Sequence, residues 1–192
     1  GKMQMIFCGN KEIASYNPSD GSKYWFVNGP SEDFCSSPVY NEKSGLVLVS
    51  SAWPLRNLVA IKPDGQGDVT KSHVVWQSRK GAYYVPSPVC TDDYLLTTMT
   101  NGQVHCIEVV TGKILWVENL GMQYSSSVLA NGLVYMPNDK GVITVIKPGP
   151  TFKYIAKNPI GERMNASPAI SNGKIYLRGD RHLFCISING SM

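Results

Sequence analysis

The chain has 192 residues, enough for one domain with a sizeable core, and 43% of them are hydrophobic and 17% charged. A net charge of +4 from scattered Lys and Arg gives no basic run of the kind that holds nucleic acid or acidic lipid. No stretch approaches the ~18 consecutive apolar residues of a transmembrane helix, no leader is visible, and Gly1-Lys2-Met3 runs straight into a strand pattern, which reads as a trimmed start.

From the N-terminus, Gln4-Met5-Ile6-Phe7, Ile13-Ala14-Ser15-Tyr16 and a run ending at Trp25 are short and β-prone. They predict strands two to four of a unit over 1–29. A full unit follows over about 34–79, with Ser37-Pro38-Val39, Leu46-Val47-Leu48-Val49, Leu58-Val59-Ala60-Ile61 and a fourth strand carrying Trp76. A third, over about 83–119, repeats the pattern as Ser87-Pro88-Val89, Tyr94-Leu95-Leu96-Thr97, Val104-His105-Cys106-Ile107 and Ile114-Leu115-Trp116. The fourth, over about 123–157, reads Ser126-Ser127-Val128, Leu133-Val134-Tyr135-Met136, Ile143-Thr144-Val145-Ile146, with Ile155 where the others have Trp. Ser167-Pro168-Ala169, Ile175-Tyr176-Leu177 and Leu183-Phe184-Cys185-Ile186 supply strands one to three of a last unit over 164–192.

The last slot of the third strand falls at Tyr16, Ile61, Ile107, Ile146 and Ile186, at intervals of 39 to 46 residues. That period is the range of four-stranded propeller blades. Second strands are nearly continuous in apolar character, as expected of strands covered on both faces. Asn131-Gly132 and Asn172-Gly173 are hairpin turns, because both central residues of a type I′ turn need positive φ. Pro38, Pro88 and Pro168 cannot donate to a ladder, so they belong at the start of an innermost strand. No helical periodicity of ten residues or more occurs. The predicted fold is all-β: a partial β-propeller of about four to five four-stranded antiparallel blades, an arc of a ring of about eight. An arc leaves both terminal faces open, so either further blades or self-association through those faces is expected.

Two stretches depart from the repeat. Ser51-Ala52-Trp53-Pro54-Leu55-Arg56 lengthens one loop between second and third strands, and Gly65 to His73 is an insertion in the same unit. Trp53 and Arg56 are residue types enriched in interface hot spots, and they are candidate interaction residues; Trp53 folded onto its own blade is the alternative. Tyr83 and Tyr84 enter a first strand and either stack on a ligand near the channel or pack. The five cysteines, Cys8, Cys35, Cys90, Cys106 and Cys185, read as reduced and mostly buried, because Cys106 and Cys185 share a slot filled elsewhere by Ser15, Ala60 and Val145. His73, His105 and His182 lack the clustering of metal ligands and read as structural, and Asp92-Asp93 stands where other units have turn residues. No catalytic or metal constellation emerges.

The recurring Ser-Pro-Val, the Asn-Gly before a strand, the Leu-x-Ala/Cys-Ile strand and Thr111-Gly112-Lys113-Ile114-Leu115-Trp116 together resemble the pyrroloquinoline-quinone-like (PQQ-like) propeller repeat over nearly the whole chain. The resemblance is to the C-terminal half of a bacterial secreted group, and it implies a periplasmic or secreted location. It also implies that Trp25, Trp76 and Trp116 dock between neighbouring blades. Quinoproteins of related architecture hold the quinone against a disulfide of adjacent cysteines, with calcium on Glu, Asn and Asp. No two cysteines here are adjacent, so neither PQQ nor calcium is expected in this chain unless further blades complete a site. The functional expectation is a non-enzymatic scaffold binding an unknown protein or small ligand; a quinoprotein-type oxidoreductase completed by further blades is the alternative.

Overall fold

The computed structural model describes residues 2–9, 11–29, 31–51 and 53–187, and among them every regular element is a strand. The first sheet holds β1 (Met5–Gly9), β2 (Glu12–Tyr16) and β3 (Lys23–Asn28). The second holds β4 (Val39–Asn41), β5 (Leu46–Ser51), β6 (Asn57–Ile61) and β8 (Val74–Ser78). Between β6 and β8 in sequence lies the two-residue β7 (Gly67–Asp68). The third sheet contains β9 (Val89–Cys90), β10 (Tyr94–Thr98), β11 (Gln103–Glu108) and β12 (Ile114–Asn119). The fourth contains β13 (Val128–Ala130), β14 (Leu133–Pro137), β15 (Val142–Lys147) and β16 (Lys153–Pro159). The last has three strands, β17 (Ala169–Ser171), β18 (Lys174–Arg178) and β19 (Leu183–Ser187). Pairing between successive strands of each blade is antiparallel, and β7 adds to the edge of β3 in parallel, so the chain is an arc of propeller blades.

The cores lie between blades. Leu46, Leu48, Leu58 and Ala60 of the second blade pack on Leu95, Ile107 and Val109 of the third. Val47, Val49, Val59 and Ile61, on the opposite face of the same sheet, pack on Ile13, Trp25 and Val27 of the first. Both faces of β5 and β6 are therefore buried, which is why their sequences do not alternate. Each of the first four blades also carries a register shift between the last two slots of its third strand, at Ser15/Tyr16, Ala60/Ile61, Cys106/Ile107 and Val145/Ile146.

Two sets of hydrogen bonds sew blade to blade. The indole of each fourth-strand Trp donates to a carbonyl of the next blade: Trp25 to Pro63 at 3.1 Å, Trp76 to Val109 at 2.8 Å, Trp116 to Gly149 at 3.0 Å. Nearer the axis, the serines of the Ser-Pro motif form a belt. The Ser37 N–H donates to Ser87 Oγ at 3.1 Å, Ser87 N–H to Ser126 Oγ at 2.9 Å, and Ser126 N–H to Ser167 Oγ at 2.9 Å.

Three sequence expectations are corrected here. The Trp position of the fourth blade is Ala156, which lies opposite Val145 as Trp116 lies opposite Cys106; Ile155 falls in the bulge, because the preceding turn is one residue longer. The Gly65–His73 insertion is a clasp and not a free loop. Its β7 adds in parallel to the outer edge of β3, Val69 is buried in the first inter-blade core, and Thr70 Oγ1 accepts from the Asn28 N–H. The cysteines are all free, but only Cys106 is buried. Cys185 occupies the matching slot on the last described sheet, which no other described sheet covers, and is exposed with Leu183 beside it.

A candidate interaction rim

The connections from one blade to the next share a rim with the loops between second and third strands. Backbone hydrogen bonds cross between them. Gly29 N–H donates to Lys11 O, Leu120 N–H to Gly102 O and Ile160 N–H to Gly141 O within a blade. Glu32 N–H reaches Trp53 O, Asp139 N–H reaches Met122 O and Asp180 N–H reaches Arg163 O across the blade boundary. The rim is thus held as backbone scaffold while its side chains stay available.

Trp53 is 60% exposed, although its carbonyl is pinned by the N–H groups of Glu32 and Asp33 at 2.8 and 3.3 Å. Its main chain bridges to Asp33, and Leu55 O accepts from Ser31 Oγ at 2.7 Å. Leu55 and Arg56 next to it are exposed. The Arg56 charge reaches into the blade boundary, where burial first and this guanidinium second hold the His105 imidazole below its ordinary pKa. His105 is buried, as are its neighbours Val104 and Cys106, and its Nδ1 has no partner among the described residues.

The tyrosine pair splits. Tyr83 is buried in the core between second and third blades, with its main chain tied to Ser50 Oγ at 2.9 Å, and burial raises its phenol pKa. It is not available to stack on a ligand, which corrects that expectation. Tyr84 turns outward; a hydrogen bond with the Cys35 side chain raises its pKa, with Asp33 adding to the effect. The 29–38 connection therefore brings Tyr84 and Trp53 onto one patch through Cys35 and Asp33. Sequence reading missed Val85, Met122 and Tyr124, which are also exposed and stand on the following connections. Val85 and Tyr124 each stand two residues before the strand-one serine of their unit, which was the available signal.

Farther along the same rim, Glu162 on the fourth connection accepts from the N–H groups of Arg181 and His182 and contacts His182 Nδ1. These bonds, the His182 contact foremost, pull its carboxyl down to about 2. On the opposite rim the Asp92-Asp93 pair forms the expected turn, with Asp93 paired to Lys43 at 2.6 Å and its carbonyl accepting from Val109 N–H. Among the described residues no three His, Cys, Asp or Glu side chains assemble as metal donors.

A family description, outer membrane protein assembly factor BamB, matches residues 9–149. The chain belongs to that family. Among curated proteins, the outer membrane protein assembly factor BamB of Burkholderia pseudomallei (strain K96243) is 30% identical over 107 residues, 54% of this chain and 28% of that protein. The chain thus spans well under two thirds of that relative. Among solved structures, BamB from Moraxella catarrhalis superposes with a TM-score of 0.76 at 12% identity, covering 96% of this chain and 55% of that one. The Myceliophteria thermophila Cps50 (Swd1) β-propeller domain gives 0.66 at 13% identity, covering 95% and 64%. At those identities the structural likeness establishes the fold, a β-propeller, and no more. No helix among the described residues is long and apolar enough to cross a membrane.

Proposed function

We propose that this BamB-family segment is a non-enzymatic, extracytoplasmic docking scaffold in outer membrane protein assembly, and that a protein partner seats on the loop rim at Trp53, Leu55, Arg56 and Tyr84. The observation that carries this reading is the exposure of large apolar side chains on loops whose backbones are fixed by bonds across blade boundaries. Scattered exposed apolar residues need no explanation, but a row of them on one rim marks an interaction site. A fixed backbone lowers the ordering cost of association, so contacts made there convert more fully into affinity.

The test is binding of the chain to the outer membrane assembly machinery purified from its own source organism, by biolayer interferometry. Trp53→Ala and Arg56→Ala together are expected to weaken binding by about 30-fold or more, as hot-spot truncations costing about 2 kcal/mol do. Tyr40→Ala, at an exposed position on another part of the molecule, is expected to leave it unchanged. Equal affinity for the double variant and the wild type, with both folded, would remove the rim from the reading.

A further inference from the structure

The imidazole of His105 sits in the junction between the second and third blades, 8% exposed, on the face of β11 that Ile107 turns to the second blade. Thr97 of β10 and Val117 of β12 stand opposite it in the register. The connection from the second blade to the third lies over it. Gly81, at φ +74°, is so close that an added Cβ would stand 3.8 Å from Cβ and Cγ of His105 and 2.8 Å from Cδ1 of Ile107. Gly81, Ala82 and Tyr83 are buried, and the next residue, Tyr84, is exposed on the docking rim. A short run of backbone thus links the imidazole to the patch.

The surroundings accept a neutral ring and oppose a charged one. An imidazolium carries two N–H donors and needs an acceptor for each. Neither His105 Nδ1 nor Thr97 Oγ1 has a partner among the described residues. The charges nearby are positive: Arg56 from the second blade's loop, and Arg79 and Lys80 at the start of the connection. The Tyr83 phenol and the Cys90 thiol in the same core are held neutral by burial. Among the described residues no carboxylate pairs with His105, whereas His73 pairs with Asp64 and His182 with Glu162. The carboxylates of its own sheet, Glu108 opposite Tyr94 and Glu118 opposite Val104, belong to the face turned to the fourth blade. Burial first and Arg56 second hold the folded pKa below 6.5. The junction is therefore at full strength above pH 6.5 and weakens as pH falls from there toward the lowered value.

We infer that His105 is an acid-sensitive latch under the docking rim: once charged, the ring leaves its place, the connection at Gly81, Ala82 and Tyr83 parts from β11, and a partner seated on Tyr84 and Arg56 is released. A buried histidine biases the element packed on it in this way. The inference rests on the docking reading and adds its regulation.

The experiment compares about pH 7.5 with about pH 5, the range in which histidine changes charge. Proton NMR of the wild type should give His105 a midpoint below 6.5. The Tyr83 amide, which donates to Ser50 Oγ, should exchange about 3-fold faster or more at the lower pH once intrinsic rates are divided out. Binding to the purified outer membrane assembly machinery should weaken by a similar factor in the wild type relative to His105→Gln, whose side chain does not titrate. Any response of the machinery itself to acid is common to both chains and cancels in that ratio. A His105 midpoint at or above 6.5, unchanged Tyr83 exchange, or equal loss of binding in both chains overturns the inference. The first two readings need no variant. Absence of binding at both pH values removes the docking reading and the release step with it, while NMR and exchange still decide whether the latch exists.

Discussion

Gly112, in the Thr-Gly-Lys turn of the third blade, is where repeat chemistry and inter-blade packing meet. Its φ is +71°, a conformation that costs an L-residue roughly 1–2 kcal/mol. A Cβ built there would lie 2.7 Å from Cδ2 and 2.8 Å from Cε3 of Trp76, whose indole is bonded to Val109 O of the same turn. Gly21 occupies the equivalent turn of the first blade at φ +73°, but an added Cβ meets nothing within 4 Å. Gly21→Ala therefore isolates the backbone cost, about 0.5–1 kcal/mol after the lost entropy of the unfolded glycine is credited. Gly112→Ala adds the displacement of a packed indole, about 1–3 kcal/mol more.

Urea unfolding followed by circular dichroism should place the Gly112→Ala midpoint about 1 M or more below wild type, and the Gly21→Ala midpoint only slightly below it, given slopes of about 1–3 kcal/mol/M. The double-mutant cycle with Trp76→Leu decides the cause. Once the ring is gone, Gly112→Ala should cost no more than Gly21→Ala, leaving a coupling energy of about 1–3 kcal/mol. If Gly112→Ala costs the same in both backgrounds, the motif glycine serves its turn alone and the packing argument fails.

Two further outcomes follow from the site descriptions. Brief iodoacetamide labelling read by mass spectrometry should modify Cys35 and Cys185 first, since both are exposed, and spare Cys106, whose burial pushes its thiol up to about 12; Cys106 labelled as fast as Cys35 would contradict the inter-blade core. Glu162 is held at about 2 against an ordinary 4.5, so its contribution is fully present above pH 4.5 and is lost as pH falls toward 2. Melting temperatures measured across that window should fall less steeply for Glu162→Gln than for wild type, and parallel curves would show that its bonds to Arg181 and His182 do not stabilise the junction.

Strands, blade order and the inter-blade Trp positions were legible because each blade repeats one pattern, and a pattern repeated at a fixed interval outweighs any single propensity. What stayed hidden depends on neighbours. Gly65 to His73 looked like a loop because sequence does not reveal that β7 crosses to another blade's outer edge. Tyr83 and Tyr84 are chemically the same residue, and only the direction of the connection buries one and exposes the other. Cys106 and Cys185 share a slot yet differ in burial because burial belongs to the adjacent sheet, not to the slot. Ile155 was misplaced by a single residue, the usual consequence of a longer turn feeding a bulge.

The candidate rim was half legible for a related reason. Trp53 and Arg56 stood out because they interrupt a repeat, whereas Val85, Met122 and Tyr124 sit inside it and looked like ordinary connection residues. The bonds that hold Met122 and its neighbour Gln123 are backbone bonds, which carry no residue signature. Among the described residues the third and fourth blades are joined by three ties, the Trp116 indole bond, the Ser87–Ser126 bond and the Asp139–Met122 rim bond, and each other junction carries two of the three kinds. A blade tied at three such places cannot pivot on its neighbour without breaking at least one of them. The relative positions of side chains on successive connections are therefore set by the stitching, so a partner reading several connections at once meets a preformed surface, and loosening any one tie should reduce its affinity without touching a single contact residue.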